Sequence, residues 1–213
     1  MKKLLILVLL VAGLPGLCDA KIRNTKYADL VNPFVGTDFH GHTFPGAAYP
    51  FGMIQLSPDT REDNWDGCSG YHYSDTLIKG FSHTHLSGTG CADLCDIRLM
   101  PVAGIAPDGR WEQEEDYQSA FSHDREAASP GYYRVHLDRW DVEAELTVGR
   151  RIGMHRYTYP RGVTPQLVLD LAPRDRALGT RITAVGTDAV QGYRRSRSWA
   201  SDQIVYFYME FSR

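Results

Sequence analysis

A run of period-two alternation that begins at Gly131 constrains this chain more than any other feature. Tyr132–Leu137, Val142–Val148, Met154–Tyr159 and Gln166–Leu171 each set apolar and polar residues in alternation. Successive side chains of a β-strand point to opposite faces, so each segment reads as a half-buried strand. Between them stand Asp138-Arg139 with Asp141, Gly149-Arg150-Arg151 and Pro160-Arg161-Gly162, residues suited to reversing a chain. Short strands at regular spacing, separated by turns, predict an all-β fold: an antiparallel β-sandwich.

The segment from Ile22 to Pro130 is dense in Gly, Pro, Asp, Ser and His, with apolar runs at Met53–Leu56 and Ile97–Pro101. These predict strands joined by long loops. No stretch sustains apolar spacing at three and four residues, and Pro173–Leu178 has room for only a short helix, which excludes all-α and doubly wound folds. Gln203–Phe211 is a strongly β-prone strand two residues from the chain end. An unpaired apolar strand there is an aggregation hazard, so the sandwich is expected to be incomplete and the natural polypeptide to continue past Arg213.

Lys2 and Lys3 precede an apolar run from Leu4 to Val11, followed by Gly13, Pro15 and Gly16. This is the pattern of a secretory signal peptide cleaved after Ala20, dividing the chain into residues 1–20 and a domain over 21–213. Lipidation at Cys18 is the alternative, although Leu17 occupies a position where lipoprotein signals take a small residue. The expected location is periplasmic or extracellular, with an outer-membrane anchor through Cys18 as the variant. Cleavage removes Lys2, Lys3 and Asp19, leaving 21 basic against 25 acidic residues and a net charge of −4. An acidic exported chain is a poor partner for nucleic acid. Cys68, Cys91 and Cys95 remain, enough for one bridge at most, so packing must supply the core.

Three clusters carry the chemistry. Val31–Thr37, Gly41–Ala48 and Pro50–Met53 are Gly- and Pro-rich loops. They are either structural or present main-chain groups to a hydroxyl-rich ligand. Asp63–Tyr73 mixes aromatic rings with carboxylate, amide and hydroxyl groups. A sugar uses that mixture, its apolar face on the Trp65 indole and its hydroxyls on partners such as Asp63 and Asn64; the plain alternative buries Trp65 in the core. Gly80–Cys91 holds His83 and His85 at two-residue spacing, which suits zinc together with Cys91 or Cys95, but no CxxC or HExxH accompanies them. A cysteine–histidine nucleophile pair has no spacing to single it out, and Gly88-Thr89-Gly90 lacks the third glycine of a dinucleotide loop. Glu112, Glu114, Glu115 and Asp116 read as a solvated acidic run, and Glu143 and Glu145 as neighbours on one strand face.

Taken in order, the clusters resemble glycoside hydrolase family 92, the calcium-dependent exo-acting α-mannosidases of glycan-degrading bacteria. The resemblance runs from Tyr27–Pro33 through Gly41–Ala47, Gly67–Tyr71 and Gly80–Gly88. It continues through Phe121–His123, Ala128–Tyr133 and Glu145–Thr147 to Gly153–Tyr157. It implies an N-terminal β-sandwich packed against the protein's own C-terminal (α/α)6 barrel, with inverting hydrolysis of terminal α-mannosides of glycans in the cleft between them. The acid, the base and the calcium ligands are implied to lie in that barrel, so no catalytic or metal residue is assigned in this chain, which alone should be inactive. Trp65 looks like the aromatic contact to the leaving-group sugar, with Asp63 in its loop and Cys68, Tyr71, His42, Thr43, His83 and His85 as further substrate-binding candidates. Cys95 stands where the family pattern has a glycine, which leaves open a Cys91–Cys95 bridge or a free thiol. The competing expectations are a non-catalytic carbohydrate-binding sandwich and a structural zinc module.

Overall fold

A computed structural model describes residues 26–104 and 110–212. The proposed signal peptide, with Cys18, therefore lies outside the described residues.

In chain order the strands are β1 (Ala47–Ala48), β2 (Gln55–Asp59), β3 (Leu77–Ile78), β4 (Gly80–Ser82), β5 (Arg98–Ala103), β6 (Ser119–Ala120) and β7 (Glu126–Ser129). They continue as β8 (Tyr132–Leu137), β9 (Val142–Val148), β10 (Gly153–Thr158), β11 (Pro165–Asp170), β12 (Arg176–Val185), β13 (Ala189–Arg197) and β14 (Gln203–Glu210). One sheet has the order β1-β2-β4-β5-β11 and a second β10-β9-β8-β7, all antiparallel. The two pack face to face as a sandwich. Leu56, Phe81, Met100 and Val102 from the first sheet meet Tyr133, Val135, Leu137, Val142, Ala144 and Leu146 from the second. These are the inward positions that the alternation in β8 and β9 predicts: β8 alternates into the core at Tyr133, Val135 and Leu137.

The strands expected at Tyr132–Leu137, Val142–Val148, Met154–Tyr159, Gln166–Leu171 and Gln203–Phe211 appear within a residue or so of those bounds. Two long strands went unread. β12, β13 and β14 form a separate sheet, and β14 is fully paired along β13. The Pro173–Leu178 stretch is not helical; it turns and enters β12. The helical turn lies instead at Glu114–Tyr117, where a Gln113–Asp116 capping box closes its N-terminus. Its Glu114 is drawn inward by Arg98 and Lys79, so the acidic run is not wholly solvated. The three thiols Cys68, Cys91 and Cys95 are free. Among the described residues no helix is long and apolar enough to cross a membrane.

Candidate sugar-facing site around Trp65

Two loops meet at Trp65. The first, between the N-terminal 3-10 turn Tyr27–Leu30 and β1, folds tightly because Gly41 lies against the Gly36 carbonyl, closer than any Cβ would allow. Thr43 ties the same loop together by donating from Oγ1 to the Val35 carbonyl at 2.9 Å. The second loop joins β2 to β3, and Asn64 Oδ1 accepts from the Gly67 amide at 2.9 Å to turn it.

The turn leaves Trp65 56% exposed. Its indole packs T-shaped against His42, with ring centroids 4.2 Å apart at 86°, and obliquely against His40 at 4.9 Å. His40 donates to Asp66 at 2.5 Å, and this bond holds the Asp66 carboxyl below its usual range. Gly90 closes the arrangement from the loop after β4: a Cβ there would stand 2.8 Å from Trp65 Nε1. His42 is buried, and its Nε2 has no hydrogen-bond partner. Asp63 is exposed on the rim.

Arg174, from the turn before β12, supports this loop from beneath. Its guanidinium donates to the carbonyls of Gly67 and Cys68 and to Cys95 Sγ, the last at 3.2 Å.

The other candidates sit deeper. Cys68 is buried under the loop, where desolvation pushes its thiol above the usual range. Tyr71 is buried and donates to both oxygens of Glu126 at 3.1 Å; burial first, and then Glu126, raise its phenol. His83 donates from Nδ1 to the Ile97 carbonyl at 2.6 Å and accepts from His155 at 3.0 Å. His85 is enclosed with Asp59, Ser82 and Cys95. The structure thus exposes Trp65 and Asp63, packs the buried His42 against the indole, leaves Thr43 and His83 half-buried, and encloses Cys68, Tyr71 and His85.

His40, Asp66, Gly90 and Arg174 complete the arrangement. Gly90 and Asp66 carried a local signal, as members of the Gly80–Cys91 and Asp63–Tyr73 clusters. The others act across sequence separations that pattern does not register, Arg174 reaching back 107 residues to Gly67.

An exposed indole flanked by two imidazoles and an open carboxylate can hold the apolar face of a sugar and accept its hydroxyls. Asp66, the residue after Trp65, is already engaged by His40.

Residues 30–213 match the glycosyl hydrolase family 92 N-terminal domain. The chain belongs to that family. A family 92 α-mannosidase of Bacteroides thetaiotaomicron, solved with mannoimidazole, superimposes with a TM-score of 0.82 at 40% identity, over 89% of this chain and 26% of that one. A family 92 inverting mannosidase from the same organism gives a TM-score of 0.70 at 28% identity, over 87% of this chain and 25% of that one. A protein of Arthroderma benhamiae described as an uncharacterized secreted glycosidase is 30% identical over 152 residues, 66% of this chain and 19% of its own length. The family 92 chain described here therefore spans about a quarter of these solved relatives and about a fifth of the curated one.

Proposed function

We propose that this family 92 domain forms the leaving-group wall of an exported α-mannosidase that removes terminal α-mannose from glycans with inversion. The observation that carries the reading is the half-exposed Trp65, held edge-on by His42 whose buried Nε2 lacks a partner. A sugar laid on the indole would bring hydroxyls to the exposed Asp63 carboxylate. A solved relative described as an inverting mannosidase, and another solved with mannoimidazole, support the reaction class. A secreted relative and the Lys2–Gly16 pattern support export.

In this reading the acid, the base and calcium reside in the part of the longer enzyme that this chain does not span, and residues 21–213 alone are inactive. Calcium takes six to eight oxygen donors. Among the described residues, Asp59, His85 and Cys95 lie close enough to share an ion, and an imidazole and a thiol do not suit calcium. The catalytic domain docks on apolar surface that the sandwich leaves open, notably Phe51, Met53 and Met154. The turn carrying Phe51 and Met53 is fixed there by the Met53 amide donating to the Arg150 carbonyl at 2.8 Å.

The test is mannose release by the complete polypeptide carrying this domain. Trp65→Ala should raise KM for mannobiosides by about tenfold, the loss of one stacking contact, and leave aryl α-mannosides, which carry no leaving-group sugar, nearly unchanged. An enzyme that leaves every α-mannoside intact sinks the reading. Glycan binding by the chain without hydrolysis by the complete polypeptide would point to a non-catalytic binding module.

A further inference from the structure

We infer that Asp59, His85 and Cys95 form a structural zinc site inside the sandwich, an inference that does not rest on the mannosidase reading.

The residues converge through β-sheet geometry rather than sequence proximity. Asp59 ends β2, and Ser82 ends the neighbouring β4. His85 follows three residues later and bridges to Leu94, which sets Cys95 beside it. The ligand atoms of Asp59, His85 and Cys95 all lie within 4.8 Å of one another, and the three side chains are buried. Gly70 covers them: a Cβ at that position would stand 2.9 Å from the His85 ring, 3.0 Å from Asp59 Oδ1 and 3.0 Å from Cys95 Sγ.

Proton accounting shows that a positive centre is needed, either a proton or a metal ion. His85 Nδ1 lies 2.8 Å from the Gln55 carbonyl, an acceptor only, so Nδ1 carries a hydrogen. In a neutral imidazole Nε2 then bears the lone pair. That nitrogen lies 2.8 Å from Asp59 Oδ1, which is also an acceptor, and 3.1 Å from Ser82 Oγ. Ser82 donates to Asp59 Oδ1 at 2.9 Å. Two lone pairs cannot face each other at 2.8 Å in a buried site, so both must be directed at a shared positive centre. A proton on Nε2 would serve, but it leaves the buried Asp59 Oδ2 without any partner and gives Cys95 no role. A divalent ion uses all three residues.

The donor set selects the ion. One imidazole, one carboxylate and one thiolate suit zinc, at about 2.0–2.3 Å from each donor. The Asp59 carboxylate and the Cys95 thiolate neutralise it, Ser82 Oγ is placed to complete four-coordination, and the proton displaced from Cys95 leaves to solvent. Nδ1–H donation to a backbone carbonyl is the outer-shell bond that orients a metal-ligating imidazole. Arg174, 3.2 Å from Cys95 Sγ, donates to the sulfur as such groups do around metal thiolates. The ion would tie β2 and β4 to the 91–96 segment, and so secure the loop whose Gly90 abuts Trp65.

Metal analysis of the intact protein, purified without chelator, should give one equivalent of zinc, and chelated protein should take up one equivalent again. Cobalt(II) in its place should show a near-ultraviolet thiolate-to-cobalt charge-transfer band. That band should disappear in Cys95→Ser and persist in Cys68→Ser and Cys91→Ser. Because Cys95→Ser is an isosteric change, circular dichroism of that variant separates lost metal from lost fold. Folded protein that takes up no zinc or cobalt overturns the proposal. So does a cobalt complex without the band, or a metal-free His85 with both ring nitrogens protonated in 15N spectra after zinc is added.

Discussion

His42 and Trp65 meet as a T-shaped pair 4.2 Å apart, and Gly90 lies against the indole nitrogen. The position of the exposed ring is therefore set by three segments distant in sequence, each contributing one small or planar group.

Gly90→Ala tests that packing. Its Cβ would press on Trp65 Nε1 at 2.8 Å, and its backbone stands at φ +68. Gly88 has nearly the same backbone, φ +72, but open space around it. Gly88→Ala should cost about 1 kcal/mol, the strain alone, and Gly90→Ala about 1–2 kcal/mol more, from displaced indole. Denaturant unfolding of the two variants measures the difference. Equal costs would mean that the indole yields freely.

The sheet β12-β13-β14 is anchored through Arg194, which is fully buried and pairs with Asp96 and Asp175 while its Nε donates to the Leu171 carbonyl at 2.9 Å. Arg194→Ala should destabilise the protein by about 3–5 kcal/mol, because two carboxylates are left without their cation in the interior. Limited proteolysis should then cut first within residues 176–210. A variant of unchanged stability and protease resistance would show that the anchor lies elsewhere.

Glu62 titrates in an unusual range. Desolvation, opposed by Arg98 and reinforced by Asp59 and Glu114, lifts its carboxyl from 4.5 to about 7. A folded-state value above the unfolded one means that the folded protein holds the proton more tightly. Its contribution is fully present below pH 4.5 and is lost as pH rises through 7, on the order of 3 kcal/mol at most. Glu62→Gln should flatten the stability profile between those limits. Thermal denaturation at several pH values reads this out; an unchanged slope would assign it to another group.

Much of the sandwich was legible because burial of one face imposes a two-residue period. β8 and β9 bury alternate residues, and that alternation is written directly in Tyr132–Leu137 and Val142–Val148. β12 was not legible for the same reason: as Arg-Ala-Leu-Gly-Thr-Arg-Ile-Thr-Ala-Val, it is mostly exposed or half-buried and carries no apolar rhythm. Trp65 stood out by composition, as an aromatic among polar groups in a Gly-bounded loop. His40 and Arg174 did not, because nothing in their own neighbourhoods marks them.

The sequence by itself determined the strands from Tyr132 to Leu171, the antiparallel sandwich and the aromatic loop, since these follow from local periodicity and turn chemistry. The tertiary structure alone decided which side chains meet. It turned Trp65 outward between His42 and Gly90, sent Tyr71 and Cys68 inward, and gathered Asp59, His85 and Cys95 into one buried cluster. Those meetings depend on strand register and on contacts across tens to a hundred residues, where a one-residue slip would exchange every inward side chain for its outward neighbour.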